Sequence, residues 1–337
     1  MERVFITGTA GFIGYFLARL LLDEGYTVHG YDGMTDYYDV TLKQRRTQAL
    51  LQSPRFGFTE GMLENTARID EVIDGFKPDV IVHLAGQAGV RYSLENPRSY
   101  IDANVVGTFN VMEAARRNGV RHLLMASTSS VYGANTEMPY RETDKADTQM
   151  TIYAATKKAT EAMGHSYAHL HDLPVTMFRF FTVYGPWGRP DMAYFKFVKA
   201  ILNGDPIDIY NHGEMYRDFT YVEDLVRGIR LLIDAAPVRP ASAEEIAAND
   251  SLSPVAPFRI VNIGNSTKVR LLDFIEAIED SLGVKAQRNY MEMQPGDVPA
   301  TWAEASLLHD LTGYKPTTSV REGIGAFVAW YREYYGV

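Results

Sequence analysis

Two short stretches of this 337-residue chain carry residues that could do chemistry. Tyr153-Ala154-Ala155-Thr156-Lys157 sets a phenol and an ammonium one helical turn apart, on one face of a helix. Gly8-Thr9-Ala10-Gly11-Phe12-Ile13-Gly14 is a glycine-rich turn of the kind that cradles a pyrophosphate. A free tyrosine has a pKa of about 10 and is a poor base at neutral pH. A nearby lysine cation and a positively charged nicotinamide would both favour phenolate and tune it for general acid/base work. Read together, the two stretches predict a redox cofactor with a proton-moving tyrosine beside it. A third stretch, Ser127-Thr128-Ser129-Ser130, lays successive hydroxyls after an apolar run, at the end of a strand where open α/β sheets bind ligands.

These groups need a scaffold, and the first half of the chain predicts one. Apolar runs at 4–7, 27–31, 80–84 and 122–127 read as buried strands, and 12–24, 100–118 and 152–171 as helices. Such alternation implies an α/β fold, a parallel Rossmann-type doubly wound sheet covered on both faces. Runs at 175–181 and 258–263 read as later strands. From about Gly185 the pattern turns irregular, with Pro186, Pro190 and Pro206 among aromatic residues. The expected division is a cofactor-binding domain over 1–184, rejoined by a strand near 258–263, and a smaller substrate lobe over 185–337. The stretch 235–257, rich in Ala, Pro and Ser, reads as a surface loop with one helical turn near 241–245.

The glycine turn follows a strand and opens a helix, as a dinucleotide site requires. Gly8 allows the tight turn, Gly11 the close approach of backbone to pyrophosphate, and Gly14 the packing of helix on strand. Asp32, after the second strand, is placed to accept hydrogen bonds from a ribose diol. Its charge would repel a 2′-phosphate, which favours NAD over NADP.

Composition removes other classes. The net charge of −9 argues against a nucleic-acid or anionic-membrane surface. The absence of cysteine excludes disulfides, thiolate metal sites and cysteine nucleophiles. No secretion signal and no run of about 20 apolar residues is visible, so no membrane association and a cytoplasmic location are expected. No G-x-S-x-G elbow supports a serine hydrolase. His165 and His169 share a helical face, but no HExxH pattern accompanies them, and no metal site is expected.

With these residues in view, the chain resembles the extended short-chain dehydrogenase/reductase family, in particular its nucleotide-sugar epimerases and dehydratases. The resemblance runs nearly the whole length: the turn Thr7–Gly14, His83-Leu84-Ala85-Gly86, Asn104, Ser127–Gly133, Tyr153 with Lys157, and Arg217-Asp218-Phe219. It implies Thr128 as the hydroxyl partner of a catalytic Tyr153, Lys157 on the nicotinamide ribose, Asn104 as a structural contributor, and Arg217 on a substrate diphosphate. It further implies an NAD site lined by Gly8, Gly11, Phe12, Ile13, Gly14, Asp32, Met62, Leu63, Leu84, Ala85, Gly86, Asn104, Ser127 and Phe180. Met62 stands where relatives often carry an adenine-contacting Asp, and Gly33 and Met34 follow the ribose Asp where relatives often carry Asn or Lys.

The same resemblance separates reactions. Dehydratases carry Asp-Glu after the catalytic Thr, and decarboxylases a Glu at the second of these positions; here they are Ser129 and Ser130. The stretches 178–193 and 87–93 resemble the 4-epimerases that act on UDP-glucuronate, with Thr182 where galactose-type enzymes usually have Asn. The implied substrate is a UDP-sugar contacted by Gln87, Arg91, Thr128, Ser129, Ser130, Thr182, Arg189, Tyr210, Arg217 and Asp297. Ser129, Ser130 and Thr182 could donate hydrogen bonds to a C6 carboxylate, and Arg189 could supply charge. The alternative for Arg189 is a loop arginine paired with Asp191; for Tyr210 and Phe195, simple core aromatics rather than flanks of the uracil. Arg270 is a further candidate for the diphosphate or ribose. UDP-glucuronate decarboxylation, UDP-glucose 4-epimerisation and a non-catalytic NAD sensor remain the competing readings. The family habit implies a homodimer through a four-helix bundle of 100–118 and 152–171, with Met112, Ala115, Ala162 and Met163 partly at the interface.

Overall fold

A computed structural model describes residues 1–294 and 297–337 of the chain. Strand alternation organises it. In β1 (Arg3–Thr7), Val4 and Ile6 enter one core and Phe5 the opposite one. The pattern repeats in β4 (Val80–His83), where Val80 and Val82 face one way and Ile81 the other, and in β5 (His122–Thr128) with Leu124 against Leu123 and Met125. Such near-continuous apolar strands are stable only between two helical layers. Each fully buried aliphatic side chain contributes roughly 1.5–3 kcal/mol.

With β2 (Thr27–Asp32), β3 (Phe56–Glu60), β6 (Val175–Phe180) and β7 (Phe258–Ile263), these strands form one parallel sheet in the order β7-β6-β5-β4-β1-β2-β3. This is a Rossmann-type doubly wound α/β fold, as expected. Helix α1 (Phe12–Asp23) shares one core with a later helix, Val222–Asp234. The opposite face is covered by the helices Thr66–Phe76, Gly107–Asn118 and Ile152–His171. The strand order reverses between β1 and β4, and the crevice beyond their C-terminal ends is where ligands bind in such sheets. A separate aromatic core, including Tyr184, Tyr194, Phe219, Phe274 and Phe327, is drawn from the C-terminal half of the chain; Phe219 stacks on Phe274 at 3.8 Å.

The structure extends the sequence reading in three places. Strand β3 has a single buried residue, Phe56, so it lacks an apolar run. Helix α2 (Val40–Leu50) buries Lys43, Arg46 and Thr47, which hides its amphipathic period. The region beyond Gly185 is not irregular: Ala193–Asn203, Val222–Asp234, Leu271–Leu282 and Val320–Tyr335 are helices. Among the described residues its prolines fall at the boundaries or in the loops. The 235–257 loop does contain one short turn, Ala243–Glu245. Among the described residues no helix is long and apolar enough to cross a membrane.

Candidate active site

Helix Ile152–His171 begins where Thr151 accepts a hydrogen bond from the Ala154 N–H at 3.2 Å. That cap places Tyr153 in the first turn and Lys157 one turn later. Both line a cavity of about 530 Å³ at the C-terminal ends of the sheet strands. Thr128, the last residue of β5, faces the same cavity; its hydroxyl accepts the Ser130 N–H at 3.2 Å and is near enough to the Tyr153 phenol to favour its ionised form. Tyr100 packs edge-on against Tyr153, ring centroids 5.9 Å apart.

The electrostatics differ from expectation. Burial pushes the Tyr153 phenol up, while the Thr128 hydrogen bond and then the charge of Arg189 pull it back. The lowering influence expected of Lys157 therefore comes from Thr128 and Arg189. Burial brings Lys157 itself down to about 8, against the opposing pull of Glu161. Glu161 is buried with Arg179, which it binds at 2.9 and 2.8 Å, and it also accepts a hydrogen bond from Ser127 at 2.6 Å. Burial raises Glu161, but Arg179 outweighs it and holds the carboxyl below its usual range.

The other end of the cavity is the glycine-rich turn. Gly8 has a φ of +82°, and a Cβ there would lie 2.9 Å from the Ala85 nitrogen. A Cβ on Gly14 would lie 2.1 Å from the Gly8 carbonyl oxygen. No side chain fits at either position, so the start of α1 stays open, and Gly11, Phe12, Ile13 and Gly14 line the cavity. The unpaired N–H groups of that helix start favour an anion. Asp32 ends β2 beside it. Its carboxylate accepts hydrogen bonds from the Ala10 N–H at 3.0 Å and the Met34 N–H at 2.9 Å. Burial raises its pKa, opposed by those two bonds and by Lys43 and Arg46. Met62, Leu63, Leu84, Ala85, Gly86, Ser127 and Phe180 complete this wall.

Asn104 sits in a π-helical segment, Ile101–Val106. Its Oδ1 accepts the Gln87 N–H at 2.8 Å, and its Nδ2 donates to the Gln87 carbonyl at 3.0 Å and to Thr156 at 3.1 Å. It thus fixes the Gly86–Gln87 backbone from behind. His83 does similar work for the strand end, bonded to Thr7 at 2.7 Å and Thr108 at 2.9 Å. Burial and then the Lys157 charge hold it neutral, with a pKa of about 3.

The expected sugar contacts divide into two groups. Gln87, Thr128 and Arg189 line the cavity. Ser129 and Ser130 follow Thr128 directly and are partly exposed, as is Thr182 between the cavity residues Phe181 and Val183. Arg189 makes the bidentate pair with Asp191 that the sequence offers as the alternative for it, at 3.0 and 2.5 Å, while its side chain also lines the cavity. Arg91, Tyr210, Arg217 and Asp297 lie outside the main cavity. Arg91 pairs with Asp297 at 3.1 Å and sits 4.7 Å over the Tyr210 ring. Arg217 donates to the carbonyls of Tyr216 and Val298, both at 2.8 Å. Burial depresses its pKa, and Asp297 opposes the shift. Of the neighbouring loop, Pro295 and Gly296 lie outside the described residues. Phe195 belongs to the aromatic core and Arg270 pairs with Glu214. His165 and His169 bond to Ser253 at 2.8 Å and to the Val255 carbonyl at 2.8 Å, pinning the 235–257 loop to the helix.

Sequence reasoning missed Tyr37, Arg46 and Tyr100. Tyr37 donates to Asp191 at 3.3 Å across 154 residues of sequence, and no local pattern announces such a contact. Glu161 was legible in principle, because it lies one turn beyond Lys157 on the same helical face.

Residues 4–243 match the model of the NAD dependent epimerase/dehydratase family. The chain belongs to that family. A relative named probable UDP-glucuronate 4-epimerase from Rhizobium meliloti is 55% identical over 333 residues, covering 99% of this chain and 98% of the relative. UDP-glucuronate 4-epimerase 1 of Arabidopsis thaliana is 42% identical, over 99% of this chain and 77% of its own. The crystal structure of UDP-glucuronic acid 4-epimerase from Bacillus cereus, in complex with UDP-glucuronic acid and NAD, is similar with a TM-score of 0.87 at 31% identity; 99% of this chain and 100% of that one are covered. A dinucleotide, as the family name implies, fits the turn: the side-chain-free cradle at Gly8 and Gly14 suits a pyrophosphate and Asp32 a ribose diol.

Proposed function

We propose that this protein interconverts UDP-glucuronate and UDP-galacturonate by inverting the sugar at C4, with NAD as its resident cofactor. The observation that carries the reading is the run Thr128-Ser129-Ser130 at the end of β5. Directly after the cavity residue Thr128 it carries hydroxyls where elimination or decarboxylation would call for carboxyl groups.

Gly8, Gly11 and Gly14 would hold the pyrophosphate, Asp32 the adenosine ribose, Met62 and Leu63 the adenine side, and Lys157 the nicotinamide ribose. When bound, NAD supplies a reversible hydride acceptor for the sugar's C4. Tyr153 takes the proton of the 4-hydroxyl and returns it at the end, with Thr128 orienting the phenol. The 4-keto sugar must then present its other face. The groups at the far end, Arg91, Tyr210, Arg217 and Asp297, would keep the nucleotide in place while the sugar turns.

A 4-keto uronate is a β-keto acid and loses CO₂ when its carboxylate bond stands perpendicular to the ketone plane. Hydrogen bonds from Ser129, Ser130 and Thr182, with the charge of Arg189, would hold the carboxylate out of that geometry. The reading divides the chain as cofactor domain 1–184 with the 258–263 strand, and substrate lobe 185–337.

A homodimer through the helices 100–118 and 152–171 accompanies this reading. Of the four residues expected there, Met112 and Ala115 are fully buried within their own chain, Ala162 is exposed and Met163 half-buried; Ile101, Val106 and Phe109 add exposed apolar surface.

The test is NMR of the purified protein with UDP-glucuronate and no added NADH. A mixture of UDP-glucuronate and UDP-galacturonate is expected. A UDP-pentose would mean decarboxylation instead. Conversion of UDP-glucose with an inert uronate would overturn the roles given to Thr182 and Arg189.

A further inference from the structure

Arg46, on α2, is fully buried, and its guanidinium is met by carbonyls and a phenol. Nη1 donates to the Ala10 carbonyl at 2.8 Å and to the Tyr38 hydroxyl at 2.9 Å. Nη2 donates to the Trp187 carbonyl at 2.5 Å and the Gly188 carbonyl at 3.3 Å. Its Nε has no partner among the described residues. A buried cation held mainly by neutral acceptors is costly, so its position calls for a reason beyond packing. The four acceptors supply one: Ala10 belongs to the glycine-rich turn, and Trp187 and Gly188 belong to the loop from the other lobe that ends in Arg189.

That loop has little freedom. Trp187 has a φ of +57°, a conformation that a bulky side chain adopts only when its surroundings enforce it. Its ring lies 5.7 Å from Tyr15 of α1 and 5.4 and 5.3 Å from Trp330 and Tyr334 of the last helix. A Cβ on Gly188 would meet the Tyr194 hydroxyl at 1.9 Å. The next residue is Arg189, whose charge acts on Tyr153.

We propose that Arg46 is a positioning residue: it clamps the Trp187–Gly188 turn to the glycine-rich turn, so that Arg189 is held in the cavity that Tyr153 also lines and substrate binding is coupled to the cofactor cradle. The substrate part rests on the reading above; the clamp does not.

The test compares the wild-type holoenzyme with Arg46→Met and Arg46→Lys, using Arg189→Lys as a reference. Hydrogen exchange of the loop amides reports the clamp without substrate. Calorimetric titration of UDP-glucuronate, into holo and cofactor-stripped protein, reports the coupling. The pH profile of kcat/KM reports the phenol. In Arg46→Met, loop protection should fall by about tenfold or more. The dependence of uronate affinity on NAD, expected in the wild type at about fivefold or above, should disappear. The limb assigned to Tyr153 should move to higher pH, as in Arg189→Lys. Arg46→Lys should be intermediate, because an ammonium cannot span both turns as a planar fork does, and it serves alone if the Met variant fails to fold. Loop protection, coupling and pH limb all unchanged from wild type would overturn the clamp. A wild-type protein that ignores UDP-glucuronate, yet loses loop protection in the Arg46 variants, would overturn the substrate reading and leave the clamp standing.

Discussion

Ser127 donates a hydrogen bond to Glu161 at 2.6 Å, and this contact ties the strand that ends in Thr128 to the helix that carries Tyr153 and Lys157. Glu161 also binds Arg179 of β6 through both carboxylate oxygens. One buried carboxylate therefore sets the spacing of three structural elements behind the catalytic groups. Glu161→Gln should leave Arg179 buried and unpaired, at a cost of about 3–5 kcal/mol in urea unfolding. The double variant Glu161→Leu/Arg179→Met should recover most of that loss. If Glu161→Gln unfolds at the wild-type midpoint, the pair is not holding the site.

Glu142 gives a pH dependence with a definite sign. Burial raises its pKa from 4.5 to about 7, against the hydrogen bond from the Asn262 N–H. Between these two values the folded state holds a proton that the unfolded state has released. The contribution of Glu142 to stability therefore falls as pH rises from 4.5 to about 7. Glu142→Gln should raise the urea midpoint at pH 8 and leave it nearly unchanged at pH 4. Equal effects at both values would show that the carboxyl is ionised in the folded state throughout.

Tyr153→Phe keeps the ring that packs on Tyr100 and removes the proton acceptor. Turnover of UDP-glucuronate should fall by about 10²–10⁴, with KM changed only a few-fold. A variant retaining more than a tenth of wild-type kcat would point to another base.

Arg189→Ala removes a charge that faces the cavity and leaves Asp191 to Tyr37 alone. Either turnover is abolished or a UDP-pentose accumulates beside the epimer, both visible by NMR. Wild-type turnover with no pentose would remove Arg189 from the carboxylate clamp.

Phe109 is 45% exposed and packs edge-on against Tyr167, ring centroids 6.5 Å apart. Phe109→Asp should change monomer stability by no more than about 0.5 kcal/mol while dissociating the proposed dimer, read as a mass halved from that of a wild-type dimer by light scattering. An unchanged mass would place the interface elsewhere.

How far the sequence could be read depended on the range of each interaction. The β1–turn–α1 unit and the Tyr153–Lys157 face depend on neighbours a few residues away, and both were legible. Helix α2 was not, because Lys43 and Arg46 break its apolar period and their partners lie in other elements. The lobe helices beyond Gly185 were masked by prolines that sit between elements. The buried fate of Met112 and Ala115 was equally out of reach, since which side of a helix meets its own sheet is fixed only by tertiary packing.

Strand β7 pairs with β6 from Phe258↔Val175 to Ile263↔Phe180, yet residues 181–257 are threaded between them. A chain leaving the ribosome must therefore expose the β6 edge until that intervening segment has emerged. The nascent protein carries an open sheet edge for that interval, and pairing across such a separation is slow. The same threading prevents residues 181–337 from being exchanged as one cassette, because any cut that frees them also strips the sheet of its last strand.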